Sequence, residues 1–248
     1  MTILITGGTK GIGFGIAERL VSRNEPLVLG YHADEAAAEA AVARLQALGA
    51  SAVAVRADVG AIEGCAALVR AAGEVVGGGA LSVVHSAASI YPTALLEADL
   101  PRFTEAVQAN GLSLLYLVQQ GLAWMGRGSS VVFISSAGAR TVLANYAALG
   151  CGKALAESLV RYLVPELAPR GIRINAVAPG LTATTSVAQM AGSAEAAERV
   201  LERGARANPS GRLTEAADYA AVVAFLLSDA AAFVQGQVVH VNGGAWVG

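Results

Sequence analysis

Cysteine, histidine and lysine are scarce in this 248-residue chain, and each scarcity removes a class of protein. Cys65 and Cys151 are too few for a disulfide framework or a cysteine-based zinc site, and they fit a reduced, cytoplasmic setting. His32, His85 and His240 lie far apart without metal-ligand spacing, so no metal is expected. A formal net charge of −2 with no basic cluster argues against nucleic acid as a partner. Long apolar runs are missing too: the uncharged stretches 75–96, 106–126 and 174–194 are broken by Gly, Pro, Asn, Gln or His, and no membrane span is expected. The opening MTILITGG enters a strand without a basic segment before it, so no secretory leader is expected.

What is present is alternation. TILIT, PLVLGY, AVAVRA, LSVVHS, SVVFIS, IRINAV and QVVHV read as seven β-branched strands, with alanine-rich helical segments such as 35–48 and 61–76 between them. Continuously apolar strands separated by helices imply a parallel sheet covered on both faces. The expected fold is α/β: a single doubly wound, Rossmann-like domain over 1–248 with seven parallel strands. Segments 104–126 and 146–164 read as helices apolar around most of their circumference, which points to burial against a second subunit in a homodimer or homotetramer.

The stretch ILITGGTKGIGFGIAERL runs strand, tight turn, helix, with Gly7, Gly11 and Gly13 in the turn. Glycines accept positive φ and let a diphosphate approach a helix N-terminus, where free N–H groups and the macrodipole favour anions. At the end of the second strand stand Gly30, Tyr31 and His32, and the first acidic residue, Asp34, comes late. An early carboxylate there takes the ribose hydroxyls and repels a 2′-phosphate. Its absence, with Lys10 in the glycine turn, favours NADPH/NADP+.

The spacing of Thr6-Gly7, Gly11 and Gly13 resembles the cofactor turn of short-chain dehydrogenases/reductases. The resemblance runs on through Asp58-Val59, HSAAS, Asn110, ISSAG, NAVAPGLTATT and VNGG. It implies that Thr6, Gly7, Lys10, Gly11, Ile12 and Gly13 cradle the dinucleotide, with Tyr31 and His32 beside the adenosine ribose. It further implies that Asp58 and Val59 sit at the adenine, Ala87 and Ala88 near the adenosine ribose, and Pro179, Gly180, Thr182 and Thr184 around the nicotinamide amide. His85, Ser86 and Ala88 depart from the family's usual Asn-Asn-Ala-Gly, and His85 reads as a structural substitute.

The family's lysine ordinarily follows its tyrosine by four residues, about 6 Å of axial rise. Here Tyr146 is followed by Gly150 at that position and by Lys153 three residues later. Seven residues are about two turns, so the two side chains share a helix face roughly 10.5 Å apart along the axis. This Tyr-x6-Lys spacing resembles NADPH-dependent enoyl-acyl-carrier-protein reductases. The resemblance implies that Lys153 holds the nicotinamide ribose while the Tyr146 phenol meets a thioester oxygen. It places Ser135 as the catalytic serine, with Ser136 standing where some of these enzymes have a second tyrosine, and Asn110 at a kink in the long helix.

The expected activity is thus reduction of the C=C bond of an enoyl thioester on acyl carrier protein or coenzyme A. A carbonyl or alcohol enzyme with Tyr146 as acid/base is the alternative, and a non-catalytic dinucleotide-binding protein a third reading. Segment 182–212 suits a lid that closes on substrate. Within it Arg199, Arg203 and Arg206 fall near one helical face, which could attract an acidic carrier.

Overall fold

The computed structural model describes residues 1–75 and 80–247. The chain begins with strand β1 (Thr2–Thr6), helix α1 (Gly11–Leu20), β2 (Leu27–Tyr31), α2 (Glu35–Ala47), β3 (Ala52–Arg56) and α3 (Ile62–Val75). It continues through β4 (Leu81–His85), α4 (Leu100–Val107), α5 (Ser113–Gly121), β5 (Ser130–Ile134) and α6 (Ala147–Leu167). The last part comprises β6 (Arg173–Pro179), α7 (Thr185–Ala191), α8 (Ala194–Ala207), α9 (Ala216–Leu226) and β7 (Val238–Val241). All seven strands pair in parallel, in the order β3-β2-β1-β4-β5-β6-β7.

Strand alternation divides the core in two. Ile3, Ile5, Leu27, Leu29, Val132 and Ile134 point to the face covered by α1, α2 and α9, where Ile16, Leu20, Leu45 and Val223 meet them. Leu4, Val28, Val83, Val131 and Phe133 point the other way, onto Leu68 of α3, Leu117 of α5 and Val160 of α6. The strand order reverses between β1 and β4, the place where open α/β sheets leave a crevice for a ligand at the strands' carboxyl ends.

The seven expected strands and the helix at 35–48 form within a residue or two of their expected limits, and so does the one at 61–76, whose last residue lies outside the described set. Segment 104–126 differs. It is not one helix: α4 passes into a π-helical turn at Gln108–Leu112 before α5 begins. A π turn inserts one residue per turn, and it is accommodated here because Gly111 and Gly152 let the backbones of this turn and α6 come together. A Cβ on Gly111 would lie 2.7 Å from the Gly152 carbonyl oxygen. On α6 the outward residues Arg161, Tyr162 and Glu166 are exposed, while Ala156, Val160 and Leu163 face the sheet. No helix among the described residues is long and apolar enough to cross a membrane, and no group of three metal-ligating side chains is found among them.

Candidate active site

The glycine turn is tight because the backbone takes conformations that other residues resist. Gly7 and Gly11 have φ of 62° and 53°, and a Cβ on Gly13 would lie 2.2 Å from the Gly7 carbonyl oxygen. A Cβ on Gly7 would sit 2.8 Å from Ala87 Cα, so the turn is pressed against the loop after β4. Thr6 fastens that contact: its Oγ1 accepts from the amides of Ser86 and Ala87, both at 3.2 Å. Ile12 packs on the adjoining core, and Ala88 is exposed one residue further along.

His85 completes the arrangement. Ser113 Oγ donates to the Ala109 carbonyl at 2.8 Å, so it has only a lone pair to offer His85 Nε2 at 2.7 Å. The imidazole therefore carries its proton on Nε2, and Nδ1 accepts from Thr6 Oγ1 at 2.6 Å. Burial foremost, then the nearby Lys153 charge, hold the imidazole pKa down to about 3. The unfolded chain binds this proton first as pH falls, so the stability present above about pH 6.5 is lost toward pH 3. Urea unfolding of the wild type and His85→Asn at pH 7 and pH 5 should differ in slope, the wild type losing about 2 kcal/mol more.

At the ends of β2 and β3, Lys10 Nζ meets Asp34 Oδ2 at 2.7 Å, and the other oxygen of Asp34 caps α2 through the Ala37 amide. Arg56, which the sequence reading did not single out, donates to the His32 carbonyl at 3.1 Å, while Tyr31 ends β2 opposite it. Asp58 Oδ1 takes the Gly60 amide at 2.8 Å, and the Val59 carbonyl accepts from the Cys65 thiol at 3.3 Å. On the opposite side of the cleft Pro179 ends β6, and the Gly180 amide donates to Val241 O at 2.9 Å. Thr182 Oγ1 turns back to Gly180 O, and Thr184 precedes α7 with its methyl 3.4 Å from where a Gly11 Cβ would stand. Segment 182–212 is thus largely the helix pair α7 and α8, starting against the glycine turn. Arg199, Arg203 and Arg206 are all exposed on α8.

The tyrosine–lysine pair is placed by small residues. Tyr146 stands at the N-cap of α6 rather than inside it, after Asn145 in the left-handed region at φ 59°. Gly138 leaves room for the phenol ring, since a Cβ there would lie 2.4 Å from Tyr146 Cε1. Gly150 answers why the usual lysine position is empty: its Cβ would be 2.5 Å from the Gly138 carbonyl oxygen. Lys153 is 4% exposed, donates to the Ile134 carbonyl at 2.7 Å, and lies over the Phe133 ring. Burial lowers its pKa to about 7. Burial raises the Tyr146 phenol above its ordinary value, with the Ser136 hydrogen bond pulling the other way.

One expected contact differs in this geometry. Ser135 was expected beside the phenol, but its hydroxyl donates to Glu157 Oε1 at 2.6 Å, buried under α6. Tyr146 instead donates to Ser136 Oγ at 3.0 Å. Strand alternation is the cause: Phe133 faces α6, Ile134 faces away, and Ser135 turns back beneath the helix. Asn110 stands in the π turn, where the resemblance implies a kink in the long helix, and its amide is engaged with Ser89, accepting from N at 2.9 Å and donating to O at 2.8 Å. It braces the π turn and the loop after β4. Glu157 was missed altogether, although its place four residues after Lys153 puts it on the same buried face.

Comparison with known proteins agrees with this architecture. The family described as Enoyl-(Acyl carrier protein) reductase matches residues 7–245. The chain is 35% identical over 246 residues to 1-cyclohexenylcarbonyl-CoA reductase of Streptomyces collinus, covering 97% of this chain and 85% of that one. It is 31% identical over 251 residues to a 3-oxoacyl-acyl-carrier-protein reductase of Staphylococcus aureus, covering 98% and 97%. A short-chain dehydrogenase from Burkholderia cenocepacia, solved in complex with NADP, superposes with a TM-score of 0.87 at 28% identity over 98% of this chain and 97% of the other. The chain belongs to the short-chain dehydrogenases/reductases, and it is an oxidoreductase.

Proposed function

We propose that the chain reduces the C=C bond of an enoyl thioester with NADPH. The observation that carries this reading is the separation of Tyr146 from Lys153: Gly150 is pressed on the Gly138 carbonyl, and the phenol bonds Ser136 while the amine bonds Ile134 O. The residues fit a dinucleotide on structural grounds, because Gly7, Gly11 and Gly13 leave open a turn that any Cβ would fill or strain. Thr6 to Gly13 would hold the diphosphate, Asp58 and Val59 the adenine, and Pro179 to Thr184 the nicotinamide end. Lys10, freed from Asp34, would meet a 2′-phosphate. The NADP complex of the Burkholderia relative supports the choice of cofactor.

NADPH, when bound, would supply the hydride for the β-carbon, and negative charge would then develop on the thioester oxygen. Tyr146, with its pKa raised, keeps its proton and donates a hydrogen bond to that oxygen, where a donor strengthens as charge appears. Ser136 Oγ orients the phenol. Lys153 gives one N–H to Ile134 O and keeps at least one more for the ribose hydroxyls. A proton taken up from water at the α-carbon would complete the saturated thioester.

The exposed arginines of α8 suit an acidic carrier or coenzyme A phosphates, and Tyr162 on the outer face of α6 suits a homodimer or homotetramer contact. One observation favours the second reading, carbonyl reduction: the Ser136–Tyr146 hydroxyl pair at 3.0 Å can bind a carbonyl oxygen and pass it a proton. The Staphylococcus relative is named for that activity. NADPH consumption with crotonyl and with 3-oxoacyl thioesters decides between them. Turnover of the crotonyl substrate is expected, and turnover of the oxoacyl substrate alone overturns the enoyl reading.

A further inference from the structure

A buried carboxylate remains outside the chemistry above. Glu157 is 3% exposed and lies one helical turn beyond Lys153 on α6. Its Oε1 accepts from Ser135 Oγ at 2.6 Å and its Oε2 from Arg140 Nε at 2.8 Å. These two partners belong to the segment that joins β5 to α6. Ser135 is its first residue, directly before Ser136, and Arg140 follows the 3-10 turn Ala137–Ala139 on the way to Tyr146. The lysine makes the adjoining stitch, since Lys153 Nζ holds Ile134 O.

Three consecutive attachments thus tie α6 to the end of β5 and to the loop that delivers the phenol. Buried ionised carboxylates are retained only when paired and hydrogen-bonded, and Glu157 has both oxygens satisfied by this loop. His240 of β7 packs at a tilt against Trp246, and neither of its ring nitrogens has a hydrogen-bond partner among the described residues. Arg140 is accordingly the cation that Glu157 holds.

We propose that Glu157 is a positioning residue: by clasping Ser135 and Arg140 it sets where Ser136 and Tyr146 stand relative to Lys153. This rests on the reading that Tyr146 meets the substrate oxygen. The clamp acts on the reaction step and not on dinucleotide binding, because neither of its partners lies in the glycine turn or in the 179–184 segment. Displacing a reacting group by an ångström is enough to lower turnover about 10- to 100-fold.

The test uses the full chain and three variants: Arg140→Ala, Glu157→Gln and their combination. Arg140 is half-exposed, so its truncation leaves the core intact. Glu157→Gln keeps an acceptor for Ser135 but can present an amide N–H to Arg140 in place of the oxygen. Each single change should lower kcat about 10-fold, with NADPH affinity, read by quenching of protein fluorescence, within twofold of the wild type. The combination should be no worse than the worse single, since both release the same contact. Arg140→Lys, which restores a cation, should recover most of the loss.

Wild-type kcat in Arg140→Ala overturns the proposal, and so does a kcat loss that is multiplicative in the combination or is matched by weakened NADPH binding. If Glu157→Gln does not fold, the Arg140 pair still decides. A Tyr146→Phe protein with undiminished kcat marks the different failure, that of the functional reading itself.

Discussion

Tyr146→Phe is expected to bind NADPH as tightly as the wild type and to lose about 100- to 1,000-fold in kcat, the range found when one donor to a developing oxyanion is removed. The ring stays in place because its packing against Gly138 does not involve the hydroxyl. What disappears is the donor that Ser136 orients and the hydrogen bond to the oxygen that gains charge. KM for the thioester should change little, since the bond strengthens mainly in the transition state. Steady-state kinetics with a saturating thioester, alongside a fluorescence titration with NADPH, measures both. A loss under about threefold, with binding intact, removes the phenol from the mechanism.

Gly150→Ala should be damaging although it looks benign. In an open helix this change adds roughly 1 kcal/mol of stability. Here the new Cβ would stand 2.5 Å from the Gly138 carbonyl oxygen and 3.4 Å from Tyr146 Cδ1, so backbone has to move. Overpacking of this kind costs about 1–3 kcal/mol, which outweighs the helical gain. The displacement falls on the segment that carries Ser136 and Tyr146, and kcat should drop about 10- to 100-fold. Cys151→Ala, one residue along and exposed, should leave both stability and kcat unchanged. Chemical denaturation and kinetics of the two proteins side by side give the comparison, and a Gly150→Ala protein that is more stable and fully active sinks the packing account. The same contact bars a lysine from the position one turn after the tyrosine.

The sheet was easily legible because β-branched runs and a period of two report burial directly. The glycine turn was legible for a different reason: positive φ at Gly7 and Gly11 admits few residue types. The break at Gln108–Leu112 was legible only through the resemblance, which implies a kink at Asn110, since a π turn leaves the helical pattern of apolar residues almost intact and depends on Gly111 meeting Gly152, more than forty positions away in sequence. Which of the two serines meets the phenol was not legible either. Adjacent serines at a strand end have opposite orientations, and counting from the tyrosine does not register the alternation of Phe133 and Ile134 that sends Ser135 under α6. Glu157 escaped notice because an acidic residue on an alanine-rich helix reads as solvated until its two partners, Ser135 and Arg140, are seen beside it.

The uniform direction of the seven strands has a consequence for how such a protein can change. Thr6, Tyr31, His85, Ser136, Pro179 and Val241 all emerge at one rim, whereas the opposite rim is built from short returns such as those at Gly49, Gly128 and Gly171. Substrate preference can therefore be rewritten along a single border by altering loop length and side chains there, with the strand registers untouched. The far border is correspondingly the side from which a label or a surface tether can be attached without crowding the chemistry.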